Sequence, residues 1–146
     1  MDTSVLRKRK VRNNGGFSLI ELLVVMLIIG ILLTVAIPSY SSYIRKTYRT
    51  QAVLELMRLQ LAMERYYIQK LDFSNFEDDT GYDLSPELLE GRYLLSITNI
   101  SNRSYVLKAV RQEIQSKDNC GTLTLNQLGE KGIEDATSGY YVKDCW

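Results

Sequence analysis

Residues 17–37 form an almost unbroken apolar run, from Phe17 through Val24, Ile28 and Leu32 to Ile37, and Glu21 is its one charge. About 20 apolar residues cross a bilayer core as a helix, and a carboxylate inside such a helix costs several kcal/mol unless a cation meets it. From Ser39 the pattern turns amphipathic. Tyr40, Ile44, Ala52, Leu56, Leu59, Met63 and Tyr66 recur every three or four residues, with Arg45, Arg49, Arg58 and Arg65 between them. No stop signal intervenes, so the pattern predicts one helix from residue 17 to about 69, roughly 80 Å long at 1.5 Å per residue. Gly30 and Pro38 are its weak points. Glycine lowers helix propensity and proline withholds the N–H that Thr34 would receive, so a kink is expected at Pro38.

The helical period then stops. Residues 71–91 carry turn chemistry, including Asp72, Asn75, the Glu77-Asp78-Asp79-Thr80-Gly81 run and Ser85-Pro86, and predict a connecting loop with a short helical turn opening at Pro86. The acids there do not have the spacing of a calcium loop. Three alternating stretches follow, at 93–98, 104–111 and 121–126, with Asn99-Ile100-Ser101-Asn102 as a turn joining the first two into an antiparallel hairpin. A small sheet needs an apolar cover, and the amphipathic half of the helix supplies one. The expected class is α+β: a long N-terminal helix packed on a small antiparallel sheet. Residues 128–146 are expected as a C-terminal loop with an edge strand at 140–142.

Composition narrows the chemistry. The chain has no histidine, which excludes His-based triads, general bases and zinc sites. No nucleophile–base pair, phosphate loop or metal cluster is evident, so no enzyme and no cofactor are expected. The two cysteines, Cys120 and Cys145, lie beyond the apolar run. Such a pair reads as one disulfide in an oxidising compartment, worth roughly 3 kcal/mol by loop closure, with two buried thiols as the alternative.

Before the apolar run, Arg7, Lys8, Arg9, Lys10 and Arg12 stand against Asp2 alone. They outnumber Arg45, Lys46 and Arg49 on the far side, which places the N-terminus in the cytoplasm. A secretory signal would also begin this way. Against it stand Gly15-Gly16 lying ahead of the apolar run, the interruption at Glu21 and the length of the run, so retention is favoured. Ser18 and Glu21 additionally form an S-x-x-E capping box.

The basic leader, then Gly16-Phe17-Ser18-Leu19-Ile20-Glu21, then an apolar stretch ending Ala36-Ile37-Pro38-Ser39-Tyr40, resembles the prepilin signature of type IV pilins and their type II secretion relatives. Ile44-Arg45-Lys46, Met63-Glu64-Arg65-Tyr66-Tyr67 and Cys120-Gly121-Thr122-Leu123-Thr124 are most similar to PilE-like minor pilins. The resemblance implies a leader at 1–16, a membrane and assembly helix at 17–38, the amphipathic half at 39–70 and a pilin head at 71–146. It implies that prepilin peptidase cuts between Gly16 and Phe17 and methylates the new amine, and that Glu21 meets the Phe17 amine of a neighbouring subunit. It also implies partial unwinding between Gly30 and Pro38 in the assembled fibre. Partners would be other pilin subunits, the peptidase, the assembly machinery and, before assembly, the inner membrane.

Two competing roles follow from the same resemblance: a secretion pseudopilin, and a minor pilin that receives DNA. The available cations, Arg92, Arg103, Lys108, Arg111, Lys117, Lys131 and Lys143, are interspersed with acids, which reads as a solvated surface more than as a phosphate-binding stripe. Asn-x-Ser triplets at Asn99 and Asn102 read as turn chemistry.

Overall fold

A computed structural model describes residues 16–85 and 89–146; residues 1–15 of the expected leader and the helical turn expected at Pro86 lie outside the described residues. The chain divides into two compact units, one ending at Pro38 and the other running from Ser39 to Trp146. The first helix, α1 (Leu19–Lys70), contributes to both.

In the first unit, α1 begins two residues after Phe17, and its backbone is helical through Gly30 and at Pro38. Its most apolar window has a mean hydropathy of 3.0, enough by length and composition to cross a membrane. Every described residue of this unit is exposed. The Thr34 hydroxyl donates to the Ile31 carbonyl at 2.6 Å, so its polar atom is satisfied within the helix.

The second unit is built by the remaining part of α1 and a four-stranded antiparallel meander. The strands are β1 (Tyr93–Thr98), β2 (Val106–Arg111), β3 (Thr122–Asn126) and β4 (Lys131–Glu134), in sheet order β1-β2-β3-β4. Register places Leu95 opposite Ala109, Ile97 opposite Leu107, Leu107 opposite Leu125 and Leu123 opposite both Ala109 and Ile133, so alternate residues line one apolar face. Ala52, Leu56, Leu59 and Met63 of α1 are fully buried in the same core. Each buried leucine or methionine contributes about 1.5–3 kcal/mol relative to exposure, which is what fastens sheet to helix.

Aromatic rings close the far end of this core. Tyr67 stacks on Phe73, Phe73 meets Tyr105 edge-on at 4.7 Å, and Tyr66 meets Phe76 of the short helix α2 (Phe76–Thr80) edge-on at 5.5 Å. The 71–91 connection is thus partly helical. Asx turns shape it as well, with Asp72 accepting from the Ser74 N–H and Asp83 from the Ser85 N–H. Leu95 of edge strand β1 donates to the Leu84 carbonyl, so this connection also partly covers that edge.

Three expectations need correction. Tyr40, placed by periodicity on the packed face, is exposed, because the core begins at Ala52. The edge strand is not at 140–142. It is β4, delivered by a tight turn in which the Asn126 carboxamide accepts from Leu128 and Glu130 N–H groups, and residues Val142–Cys145 form a one-turn helix, α3, with Asp144 accepting from the Tyr141 N–H. The C-terminal stretch is therefore structured, with the Trp146 indole donating to the Gly132 carbonyl at 2.9 Å. Two glycines permit this edge. Gly121 has φ +66° and lies where a Cβ would fall 2.1 Å from the Glu134 carbonyl, and at Gly132 a Cβ would fall 2.4 Å from the Thr124 hydroxyl.

Buried tyrosines give the head an alkaline limit. Burial raises the Tyr93 and Tyr105 phenols well above the usual 10.0, aided by Asp118 and Glu64, and the hydrogen bond to Asp79 pushes Tyr66 up to about 12. The fold thus favours the neutral phenols: their contribution is fully present below pH about 10 and is lost as pH rises through the higher folded values. In an absorbance titration at the phenolate band, Tyr66, Tyr93 and Tyr105 are expected to ionise only well above pH 10, as the head unfolds. Ionisation of these three near pH 10, with the fold retained, would contradict this.

Candidate assembly site

At the N-terminal end, Gly16 and Phe17 precede α1, and Phe17 is 85% exposed. The Leu22 N–H donates to the Ser18 carbonyl at 3.2 Å, which sets Glu21 in the first turn of the helix, where the dipole favours an acid. Among the described residues Glu21 has no ion-pair partner. Gly30 is exposed, and a Cβ there would meet nothing within 4 Å. The apolar residues between Leu19 and Ile37 are uncovered by the chain itself.

In the head, Cys120 and Cys145 are joined, with Cα atoms 5.6 Å apart. Beside Cys120 stands a feature that patterning did not reveal. Asp118 is 2% exposed, and its carboxylate receives the Arg49 guanidinium of α1 at 2.8 Å, the Tyr93 hydroxyl at 3.2 Å, the Gln115 carboxamide at 3.3 Å and the Cys120 N–H at 2.9 Å. Gln115, fully buried at the end of the 3-10 turn Glu113–Gln115, also donates to the Arg45 carbonyl of α1 at 2.8 Å. Arg111 donates to the Asp118 carbonyl. One buried acid therefore ties helix, sheet and the disulfide approach together. In sequence Arg49 and Asp118 are ordinary charges 69 residues apart, and only the Asp-x-Cys turn spacing hints at the role.

The head cations are mostly engaged. Arg92 lies 4.2 Å over the Tyr48 ring, Lys108 pairs with Glu134, Lys131 lies 5.3 Å over Trp146 and Lys143 lies 5.8 Å over Tyr141.

A family model described as "Type IV minor pilin ComP, DNA uptake sequence receptor" matches residues 38–124, more than half the chain, and a prokaryotic N-terminal methylation motif matches residues 11–37. The chain belongs to the type IV pilins. This pilin is 36% identical over 100 residues to a fimbrial protein of Pseudomonas aeruginosa, covering 65% of each chain. It is 29% identical over 105 residues to the type IV major pilin protein PilE1 of Neisseria gonorrhoeae, covering 70% of this chain and 58% of that one. These matches span less than two thirds of the relatives' own lengths. A type IV pilin structure from Shewanella oneidensis shares the fold, with 24% identity, a TM-score of 0.51, and coverage of 70% of this chain and 97% of that one.

Replacing Asp118 by alanine strands a largely buried arginine and three further donors, and is expected to destabilise this pilin by about 3 kcal/mol; Asp118→Asn, which keeps part of the hydrogen bonding, should cost less. Chemical denaturation of the detergent-solubilised chain measures both. Wild-type stability in the alanine variant would rule out the buried acid as the tie between helix and sheet.

Proposed function

We propose that this chain is a minor subunit of a type IV pilus, cut by prepilin peptidase between Gly16 and Phe17, methylated on the Phe17 amine, and polymerised through α1. The N-terminus faces the cytoplasm and the chain is held in the inner membrane until it is drawn into the fibre. The observation that carries this reading is a bare apolar helix with one carboxylate, unpaired among the described residues, in its first turn. A role in polymerisation, not catalysis, accounts for that surface.

Phe17 stands four residues ahead of Glu21 and just ahead of the first turn of α1. A neighbour offset by about that stretch of chain brings its amine level with this carboxylate. An α-amine has a reference pKa near 8 and is mostly protonated at neutral pH, so it supplies the missing cation. Desolvation takes back much of the Coulomb gain, so the pair sets register more than stability: a mis-inserted subunit leaves two unpaired charges. Further along, Leu54, Met57, Leu61 and Ile68 follow helical spacing on α1 and are exposed in the single chain, which supports packing against other helices in the fibre.

The disulfide-closed C-terminal stretch and the pilin relatives support a pilus over a secretion piston. A second reading, that the fibre takes up DNA, has one observation in its favour, the description attached to the family model over residues 38–124. The engaged cations give it no added weight.

Glu21→Val should leave cleavage and membrane insertion intact while recovery of the subunit in sheared fibres falls at least about tenfold, the equivalent of only about 1.4 kcal/mol. Unchanged recovery, quantified by mass spectrometry against the other subunits, would end the assembly role of Glu21.

A further inference from the structure

Two clefts of about 430 and 390 Å³ flank the start of the head, and they share Arg45 and Lys117. Their lining contains five cations, Arg45, Lys46, Arg49, Arg92 and Lys117, and one acid, Asp118, which Arg49 already holds. Two further acids lie close in sequence or contact. Glu90 accepts the Tyr48 hydroxyl beneath Arg92, and Glu113 is exposed on the 3-10 turn. Lys46 and Lys117 are exposed, so an excess of positive charge reaches solvent here.

The fold gathers these groups from distant parts of the chain. Arg45, Lys46 and Arg49 come from α1, and the Gln115 hydrogen bond to the Arg45 carbonyl holds the 3-10 turn, with Lys117 two residues on, against that same helical turn. Apolar groups share the end: Tyr40 and Tyr43 are each 68% exposed and Ile114 is 64% exposed.

Placement along the chain selects the partner. The apolar run that ends at Ile37 is long enough to cross a bilayer core, and Tyr40, Tyr43, Arg45 and Lys46 follow it within nine residues, so the chain tethers them to the hydrocarbon boundary. Tyrosine is the residue of membrane–water interfaces, and each Lys or Arg near an anionic surface adds attraction.

We propose that this end of the head is a collar for anionic phospholipid headgroups, with Lys46, Lys117 and Arg45 binding phosphate and Tyr40, Tyr43 and Ile114 seated among the headgroups. The inference rests on the membrane anchoring proposed above. It adds a lipid-binding role for the head before assembly: release from the membrane then requires breaking headgroup contacts as well as withdrawing the apolar helix.

The full chain reconstituted in nanodiscs tests it. Lysine labelling by a water-soluble amine reagent, read by mass spectrometry, is compared in phosphatidylcholine discs and in discs doped with phosphatidylglycerol. Lys46 and Lys117 should label about threefold more slowly in the anionic discs, with Lys131 and Lys143 unchanged and the difference erased by high salt. Arg45→Gln should shrink the protection at both lysines. Equal labelling in the two discs overturns the proposal, as does equal protection in both. A duplex DNA added to the phosphatidylcholine discs that protects the same lysines, where anionic lipid does not, would assign the patch to nucleic acid and also overturn it. Failure of anchoring itself would show separately, as a chain that does not stay with the discs.

Discussion

The first half of α1 presents an apolar surface that is exposed among the described residues. All the large apolar side chains from Leu19 to Ile37 are exposed, while every residue that builds the core lies at Ala52 or later. At about 25 cal/mol per Å² of apolar surface, leaving such a rod in water is prohibitive, so it must lie in lipid or against other helices. On the proposed role, Glu21 makes those two environments unequal: in lipid it would be a lone charge near the hydrocarbon boundary, and among other copies of the helix an N-terminal amine would meet it.

The head answers a different constraint, which is to hold a four-stranded meander on one face of a long helix without a second layer. Leucine packing supplies most of the energy. The Asp118 network supplies a fixed relation, since Arg49 and the Arg45 carbonyl on the helix are both bound by groups preceding Cys120. The disulfide then carries that relation to α3, and the Trp146 indole returns it to β4. Charge burial of this kind adds specificity at some cost in desolvation, and here the acid is fully hydrogen-bonded.

Long periodic signals were legible and short ones were not. The uninterrupted heptad-like spacing of α1 and the strict alternation of Leu95, Leu107, Ala109, Leu123 and Leu125 survive as the packed faces. Tyr40 kept the period but lay beyond the reach of the sheet. β4 was missed because Lys131-Gly132-Ile133-Glu134 has one apolar residue and a glycine, and is a strand only through its turn at Asn126 and its partner β3. Tyr140, Tyr141 and Val142 looked more strand-like, yet Asp144 and the Cys145 bridge wind them into a helical turn. Gly16, Phe17 and Glu21 are proposed for assembly on a local motif, whereas the Asp118 network exists only after residues 69 apart are brought together.

Assembly through Glu21 turns on where the mature chain begins, because only a terminus at Phe17 places an amine four residues ahead of Glu21. Determining the N-terminal residue and mass of the chain recovered from fibres tests this directly. A chain that starts at Phe17 with one added methyl group is the predicted result. A chain that starts elsewhere, whether still carrying its basic leader or cut after Ala36, would contradict it.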